Sequence, residues 1–315
     1  MFSVSKIELP KRNQIGGMNI VFNINPLGLE GLEATVSSLI RSCSDPAKLT
    51  IWFLCADFRS DNKGDIVRLL SEENFKGRSE FIDYNSHELF GHLRPLYGDW
   101  STYGKLVIAN YVDGDTALYL DSDLIVIVDI LTLLNFEFHG AVLAAVCGST
   151  IEHVLDKTFF IQRLNSPLNQ KYFNAGVVLF DLKRWRETNV DEYWATLANK
   201  YPAELVSHDQ TLLNAICGGN FAHLPFNFNN PWYPGSKAPE NSTNSIIHFV
   251  GSPKPWDVLG SIIHKGYPTW SSYTTGAWKN KYSQLSIDKL RRSWKIRKSI
   301  ARHLKSIIIT SFGLH

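Results

Sequence analysis

Residues 115–130 read DTALYLDSDLIVIVDI, an apolar run carrying two carboxylates, Asp121 and Asp123, where the chain otherwise asks to be buried. The run opens as a strand, "ALYL" at 117–120, and a strand apolar on both faces needs cover on both sides. Upstream of it, a helical repeat in "TYGKLVIANYV" at 102–112 follows a strand at 78–85 and a helix through "DIVRLLSEE" at 65–73. Earlier still come a buried strand "LTIWFLCAD" at 49–57, a helix at 32–43 and a first strand "MNIVFNI" at 18–24. Strands alternating with helices predict an α/β fold with a mostly parallel central sheet and helices on both faces. Ligands of such sheets bind beyond the carboxyl ends of the strands, which is where Asp121 and Asp123 fall.

At 315 residues, 44% apolar and 20% charged, the chain has the make-up of a globular protein with a large core. Cys43, Cys55, Cys147 and Cys217 form no C-x-x-C pair, and the first residues lack the apolar centre of a secretory signal, so a reducing cytosol is expected. No apolar run approaches the roughly 20 residues that span a bilayer. The net charge of +2 is unevenly spread, because eight basic residues and no acid follow Asp288. The rest of the chain is acidic, which argues against nucleic acid. Within the basic stretch Leu290, Trp294, Ile296, Ile300, Leu304 and Ile307 recur at mostly helical spacing. Residues 289–315 therefore read as an amphipathic helix for an anionic membrane surface, against the plainer reading of a solvated tail. Truncation after Asp288 is expected to weaken vesicle binding and to spare the activity of the rest of the chain.

Carboxylates at i and i+2 on a strand-ending turn can converge on one hard cation, which completes its shell with substrate phosphates. A second D-x-D, Asp113-Gly-Asp115, reads instead as a polar turn before the strand. In "IIHFVGSPKPW" at 246–256, His248 ends a strand, and Gly251 and Lys254 follow in a turn. Imidazole can complete a metal site, glycine admits a phosphate and lysine adds a point charge; alone, such a histidine is more often simply packed. "YFNAGVVLFDLKRWRE" at 172–187 runs from Asn174 through the small Ala175 and Gly176 into a strand, suiting either close approach of a sugar or nucleotide or tight packing. In "SHDQTLLNAIC" at 207–217, Asp209 and Gln210 occupy the first turn of a helix that Ser207 or Asp209 could merely cap. Residues 224–244, rich in Pro, Asn and Gly, read as one long loop, and a loop of that length is often functional. Its Trp232 and Tyr233 are candidates for the wall of a binding site, against loop packing.

These four stretches, with "LYLDSDLIV" first, occur in the order seen in glycosyltransferase family 8, and the sequence resembles the bacterial lipopolysaccharide and lipooligosaccharide hexosyltransferases within it. The resemblance covers roughly 18–256 and extends to the basic, aromatic C-terminus, which is similar to the membrane-attachment tails of those enzymes. It implies a GT-A fold and a UDP-hexose donor, galactose or glucose. Asp121, Asp123 and His248 would hold Mn²⁺, with Mg²⁺ as the alternative ion, and Gly251 and Lys254 would contact the phosphates. Lys105, Ser122, Asn174, Ala175, Gly176, Asp209 and Gln210 complete the implied donor site. Asp209 would grip sugar hydroxyls, and Gln210 would lie beneath the anomeric carbon, stabilising an oxocarbenium-like transition state or acting as nucleophile. The chain departs from many relatives at Asn25, where an aspartate would face uracil, and at Gly148, where several carry an acidic acceptor-side residue. An amide oxygen can still accept from uracil, whereas acceptor identity does not transfer.

The resemblance implies retention of configuration, by front-face attack or by double displacement through Gln210 or Asp209. The domain reading is an N-terminal extension at 1–17, a catalytic domain at 18–256, an extension at 257–288 and the basic tail. The expected setting is the bacterial cytoplasm, peripheral on the inner membrane, with the lipopolysaccharide core or a related surface glycan as acceptor. A catalytically inactive sugar-nucleotide binder is the main rival. Dehalogenase-type phosphatases also end a strand in D-x-D, but about a hundred residues of α/β pattern precede it here and no G-D-x-x-x-D pair follows.

Overall fold

Strands β1 (Met18–Ile24) and β2 (Leu49–Ala56) are buried along almost their whole length, and their alternating side chains feed two separate cores. Ile20, Phe22 and Ile24 of β1 join Ile51 and Phe53 of β2 on one face, while Val21 meets Trp52 and Leu54 on the other. Each such large side chain, fully buried, contributes about 1.5–3 kcal/mol. The structure is a computed structural model that describes residues 16–312, so nearly all of the N-terminal extension lies outside the described residues.

The remaining strands are β3 (Arg78–Tyr84), β4 (Thr116–Leu120), β5 (Leu124–Val126), β6 (Leu143–Thr150), β7 (Lys171–Asp181), β8 (Ala222–His223), β9 (Asn230–Pro231) and β10 (Ile246–His248). Seven of the ten described strands form one sheet in the order β3-β2-β1-β4-β7-β6-β8. The sheet is mostly parallel, and β7 runs antiparallel to both β4 and β6. Strand order reverses between β1 and β4, and that switch point opens a crevice at their carboxyl ends. A second, three-stranded sheet, β5-β10-β9, brings His248 of β10 to Asp121 and Asp123 beyond the end of β4.

Helix α1 (Leu29–Ser42) starts ahead of the expected residue 32, and α2 (Ser60–Glu72) ahead of 65. Two expectations fail more substantially. The segment expected to be α-helical at 102–112 is a 3₁₀ helix, Ser101–Val107, followed by one α turn, Ile108–Tyr111. The Ser101 carbonyl, which would accept from residue 105 in an α-helix, accepts instead from Asn23 Nδ2 and Tyr84 Oη. The supposed loop 224–244 contains β9, which pairs in parallel with β10 through Ile247 and His248. Asp113-Gly114-Asp115 is the expected turn, with Gly114 at φ +90°.

Beyond residue 256 the chain folds back on the domain. Thr275 donates from its amide and hydroxyl to the Glu33 carboxylate at 2.9 and 2.8 Å, and Trp278 Nε1 donates to the Leu29 carbonyl at 2.8 Å. The C-terminal helix, Ile287–Phe312, lies with Lys289 and Ile296 buried. Of its basic residues, Lys289, Arg292 and Lys295 bond to the domain, at the Trp256 carbonyl, the Asp257 carboxylate and the Tyr97 carbonyl. The free basic surface is therefore smaller than the sequence count of eight.

Candidate active site

The D-S-D turn is pinned by its backbone. Past the end of β4, the Asp121 amide donates to the Gly176 carbonyl at 2.8 Å, and the Asp123 carbonyl accepts from the Phe249 amide at 3.1 Å. Helix α1 presses on the same turn: Thr35 Oγ1 bonds both the carbonyl and the amide of Leu124, and a Cβ at Gly31 would stand 2.3 Å from the Ser122 carbonyl. Held in this way, both carboxylates face His248, and ligand atoms of the three residues lie within 4.8 Å of one another.

His248 reaches the turn because β10 pairs antiparallel with β5, setting it opposite Leu124. Its Nδ1 bonds Asn229 Oδ1 at 2.9 Å, and Asn229 Nδ2 donates to Asn174 Oδ1 at 3.1 Å. The Asn229 oxygen therefore faces the ring, the proton sits on Nδ1, and Nε2 presents a lone pair. That Nε2 is 3.3 Å from Asp123 Oδ1, a buried oxygen without a hydrogen bond. Two acceptors so placed call for a proton or a cation between them. Two carboxylates and one imidazole suit Mn²⁺, and with water filling the shell they also admit Mg²⁺.

Lys254 supplies the adjoining positive charge. The chain leaves β10 through Gly251, at φ +82°, a conformation that glycine adopts without strain. Lys254 Nζ then sits 2.5 Å from Asp123 Oδ2 and also bonds the Phe249 carbonyl. Burial by itself would raise the Asp123 carboxyl, but the Lys254 ammonium, joined by His248 when that ring is protonated, outweighs it and holds the group well below the usual carboxylate range.

A second charged cluster lies on the far side of Asp121. Lys105 Nζ, on the 3₁₀ segment, is 3.1 Å from Asp121 Oδ1, 2.8 Å from Asp209 Oδ2 and 3.1 Å from the Ala175 carbonyl. Burial opposes its charge, yet Asp121 and Asp209 more than offset that and raise the ammonium above the usual lysine value. Asp209 opens the helix Asp209–Cys217 after His208, whose φ of 56° turns the chain. The helix shows no side-chain cap, and the second Asp209 oxygen accepts from Thr102 Oγ1. Gln210 Oε1 accepts from Asn174 Nδ2 and from the Ala175 amide, both at 3.1 Å, while its Nε2 donates to Tyr172 Oη. Tyr172 in turn donates to Asp156, which also accepts from the Ser207 amide and Thr211 Oγ1.

Asn25 and Ser122 stand at the mouth of the crevice. Asn25 Oδ1 caps the turn Pro26–Gly28 by accepting from the Gly28 amide at 2.9 Å, and a Cβ at Gly28 would lie 3.2 Å from Ser122 Oγ. Trp232 does not form a free wall: it is buried against Phe249 and His264, and only Tyr233 is exposed. Gly148 is exposed on β6. Sequence reasoning missed Asn229, Tyr172, Asp156 and Thr102. Thr102 and Tyr172 sit at the heads of stretches already singled out and Asn229 lies within 224–244, while Asp156 carries no pattern of its own.

The family model for glycosyl transferase family 8 matches residues 19–260. The lipopolysaccharide 1,2-glucosyltransferase of Escherichia coli K12 is 26% identical over 92% of this chain and 82% of its own length. A Haemophilus influenzae relative is 27% identical over 67% of this chain, and the match spans only 63% of that protein. Among solved structures, the galactosyltransferase LgtC in complex with donor and acceptor sugar analogs superposes with a TM-score of 0.68 at 23% identity, covering 84% of this chain and 100% of the other. That likeness establishes the GT-A fold.

Proposed function

The chain belongs to glycosyltransferase family 8, and from that premise we propose a metal-dependent, retaining hexosyltransferase that moves glucose or galactose from a UDP-sugar to a saccharide acceptor. The lipopolysaccharide core is the acceptor favoured by the name of the Escherichia coli relative. The observation that carries the reading is the convergence of Asp121, Asp123 and His248, with Lys254 beside them, at the crevice between β1 and β4. A divalent ion held by the three, Mn²⁺ or Mg²⁺, would neutralise charge building on the diphosphate leaving group.

The chain's own groups do the rest. Lys254, already at the metal ligand Asp123, would turn its N–H bonds to the phosphate oxygens, and Gly251 leaves room for them. Asn25 keeps a second lone pair on Oδ1 for uracil, and Ser122 would face the ribose side of the crevice. Asn174, Ala175 and Gly176 would line the donor sugar, with Asp209 gripping its hydroxyls and Gln210 beneath the anomeric carbon. Both candidate nucleophiles are engaged: the Asp209 oxygens by Lys105 and Thr102, the Gln210 oxygen by β7. This favours front-face substitution. The acceptor oxygen bonds to the anomeric carbon as the bond to the diphosphate breaks, and the hydroxyl proton passes to the departing phosphate oxygen. Lys105 then holds Asp121 and Asp209 in register.

Among the described residues no helix is long and apolar enough to cross a membrane. The outward face of the C-terminal helix exposes Ile287, Leu290 and Trp294 among Arg291, Arg297, Lys298, Arg302 and Lys305. That face supports peripheral attachment to the cytoplasmic side of an anionic inner membrane.

The test follows UDP release with Mn²⁺ from UDP-glucose and UDP-galactose separately, with and without a lipopolysaccharide-core acceptor. One donor should turn over, with an α-linked product, and Asp123→Ala should lower the rate by about a hundredfold or more. Nucleotide binding without release from either donor would favour the inactive binder.

A further inference from the structure

Lys254 is carried on the loop that leaves β10; Trp256 of that loop packs against Phe249 and Trp270, and the C-terminal helix supplies the hydrogen bonds that hold the backbone on either side of Lys254. Asp257, almost fully buried, takes a bidentate pair from Arg292, Nε to Oδ1 at 2.5 Å and Nη2 to Oδ2 at 2.9 Å. The same Oδ2 accepts the Lys254 amide at 2.7 Å. Two more inward positions on the helix bond this loop: Lys289 Nζ donates to the Trp256 carbonyl at 3.0 Å and Ser299 Oγ to the Ser252 carbonyl at 2.7 Å. Residues 252, 256 and 257 are thus held on both sides of Lys254.

We propose that Arg292, acting through Asp257, is a positioning residue for donor binding, locking the loop that presents Lys254 to the diphosphate. The proposal rests on the UDP-sugar reading above. A planar guanidinium that fills both carboxylate oxygens fixes the Asp257 rotamer, and Asp257 fixes the Lys254 backbone. Without that pair the carboxylate can rotate, and the ammonium loses its aim by the ångström or so that matters to a phosphate contact. Donor binding therefore depends on the C-terminal helix, and truncation after Asp288, expected from sequence to spare the activity of the rest of the chain, should instead impair it.

The test uses full-length protein and UDP as probe. UDP affinity at saturating Mn²⁺ is measured by calorimetry for wild type, Arg292→Ala, Arg292→Lys and the isosteric Asp257→Asn. Alongside it are measured Mn²⁺ affinity without nucleotide, amide exchange across 250–258 in the nucleotide-free protein, and melting temperature. Arg292→Ala should bind UDP about ten- to a hundredfold more weakly and exchange faster at 250–258, without weakening Mn²⁺ binding. Arg292→Lys should recover only part of the affinity, since an ammonium cannot bridge both oxygens. Should Arg292→Ala fold poorly, Asp257→Asn carries the same expectation. Unchanged UDP affinity and exchange would overturn the proposal, as would equal losses of Mn²⁺ and UDP binding, which would mark general damage. Failure of wild type to bind UDP would instead overturn the donor reading, and the exchange data would still decide whether the pair fixes the loop.

Discussion

Gly176 is glycine because of what stands over it. A Cβ there would meet His248 Cε1 at 2.3 Å, Nδ1 at 2.8 Å and Asp121 Oδ2 at 3.0 Å. The sequence offered this small residue to an approaching sugar or to packing, and its immediate neighbours are two of the proposed metal ligands. Gly176→Ala should push the imidazole off its line to Asp123 and weaken Mn²⁺ binding by about ten- to a hundredfold, read by titration. A wild-type affinity would mean that the ring has freedom which the contact distances deny it. The legibility of the site divides along similar lines. Asp121, Asp123 and His248 stood out because each ends a strand whose apolar pattern could be read. Asn229, which sets the His248 tautomer, sits in a segment without periodicity, and Asp156 is a single acid whose partners come from β7 and the helix Asp209–Cys217.

At the scale of elements, the first turn of α1 meets the C-terminal helix through Glu30, whose carboxylate lies 3.4 Å from Lys289 Nζ. Burial pushes the Glu30 carboxyl up to about 7, with Lys289 only partly opposing it. A carboxyl raised above its unfolded value binds its proton more tightly when folded, so its contribution to stability is fully present below the unfolded pKa. That contribution is lost as pH rises from the ordinary glutamate value of 4.5 through about 7. Glu30→Gln should remove this loss, gaining on the order of 2 kcal/mol relative to wild type between pH 4.5 and pH 8, measured by denaturant unfolding. A difference that stays constant across that range would show that Lys289 compensates the charge. The elements legible in the sequence were those with long apolar periods, β1, β2, β3 and β4. The 3₁₀ segment Ser101–Val107 was hidden because its winding is set by Asn23 and Tyr84, which are remote in sequence. The two-residue β9 was hidden because it offers too few positions for any period.

For the whole molecule, the C-terminal helix joins the proposed donor site to the proposed membrane surface. Its amphipathic period was readable, but which basic residues face inward was not, since Lys289, Arg292 and Lys295 find partners only once residues 97 and 252–257 are folded beneath them. Leu290→Ser with Trp294→Ser, both on the exposed face, should reduce sedimentation with phosphatidylglycerol vesicles several-fold while leaving UDP affinity unchanged. Equal sedimentation would count against attachment through this face. The catalytic claim turns on the metal cluster, and electron paramagnetic resonance titration of Mn²⁺ tests it most directly, with and without UDP, on wild type, Asp121→Ala and His248→Ala. One site that tightens when UDP is added, and is lost or much weakened in both variants, is the predicted result. Mn²⁺ binding in the variants as tight as in wild type, or indifferent to UDP, would contradict a metal-bound diphosphate at the end of β4.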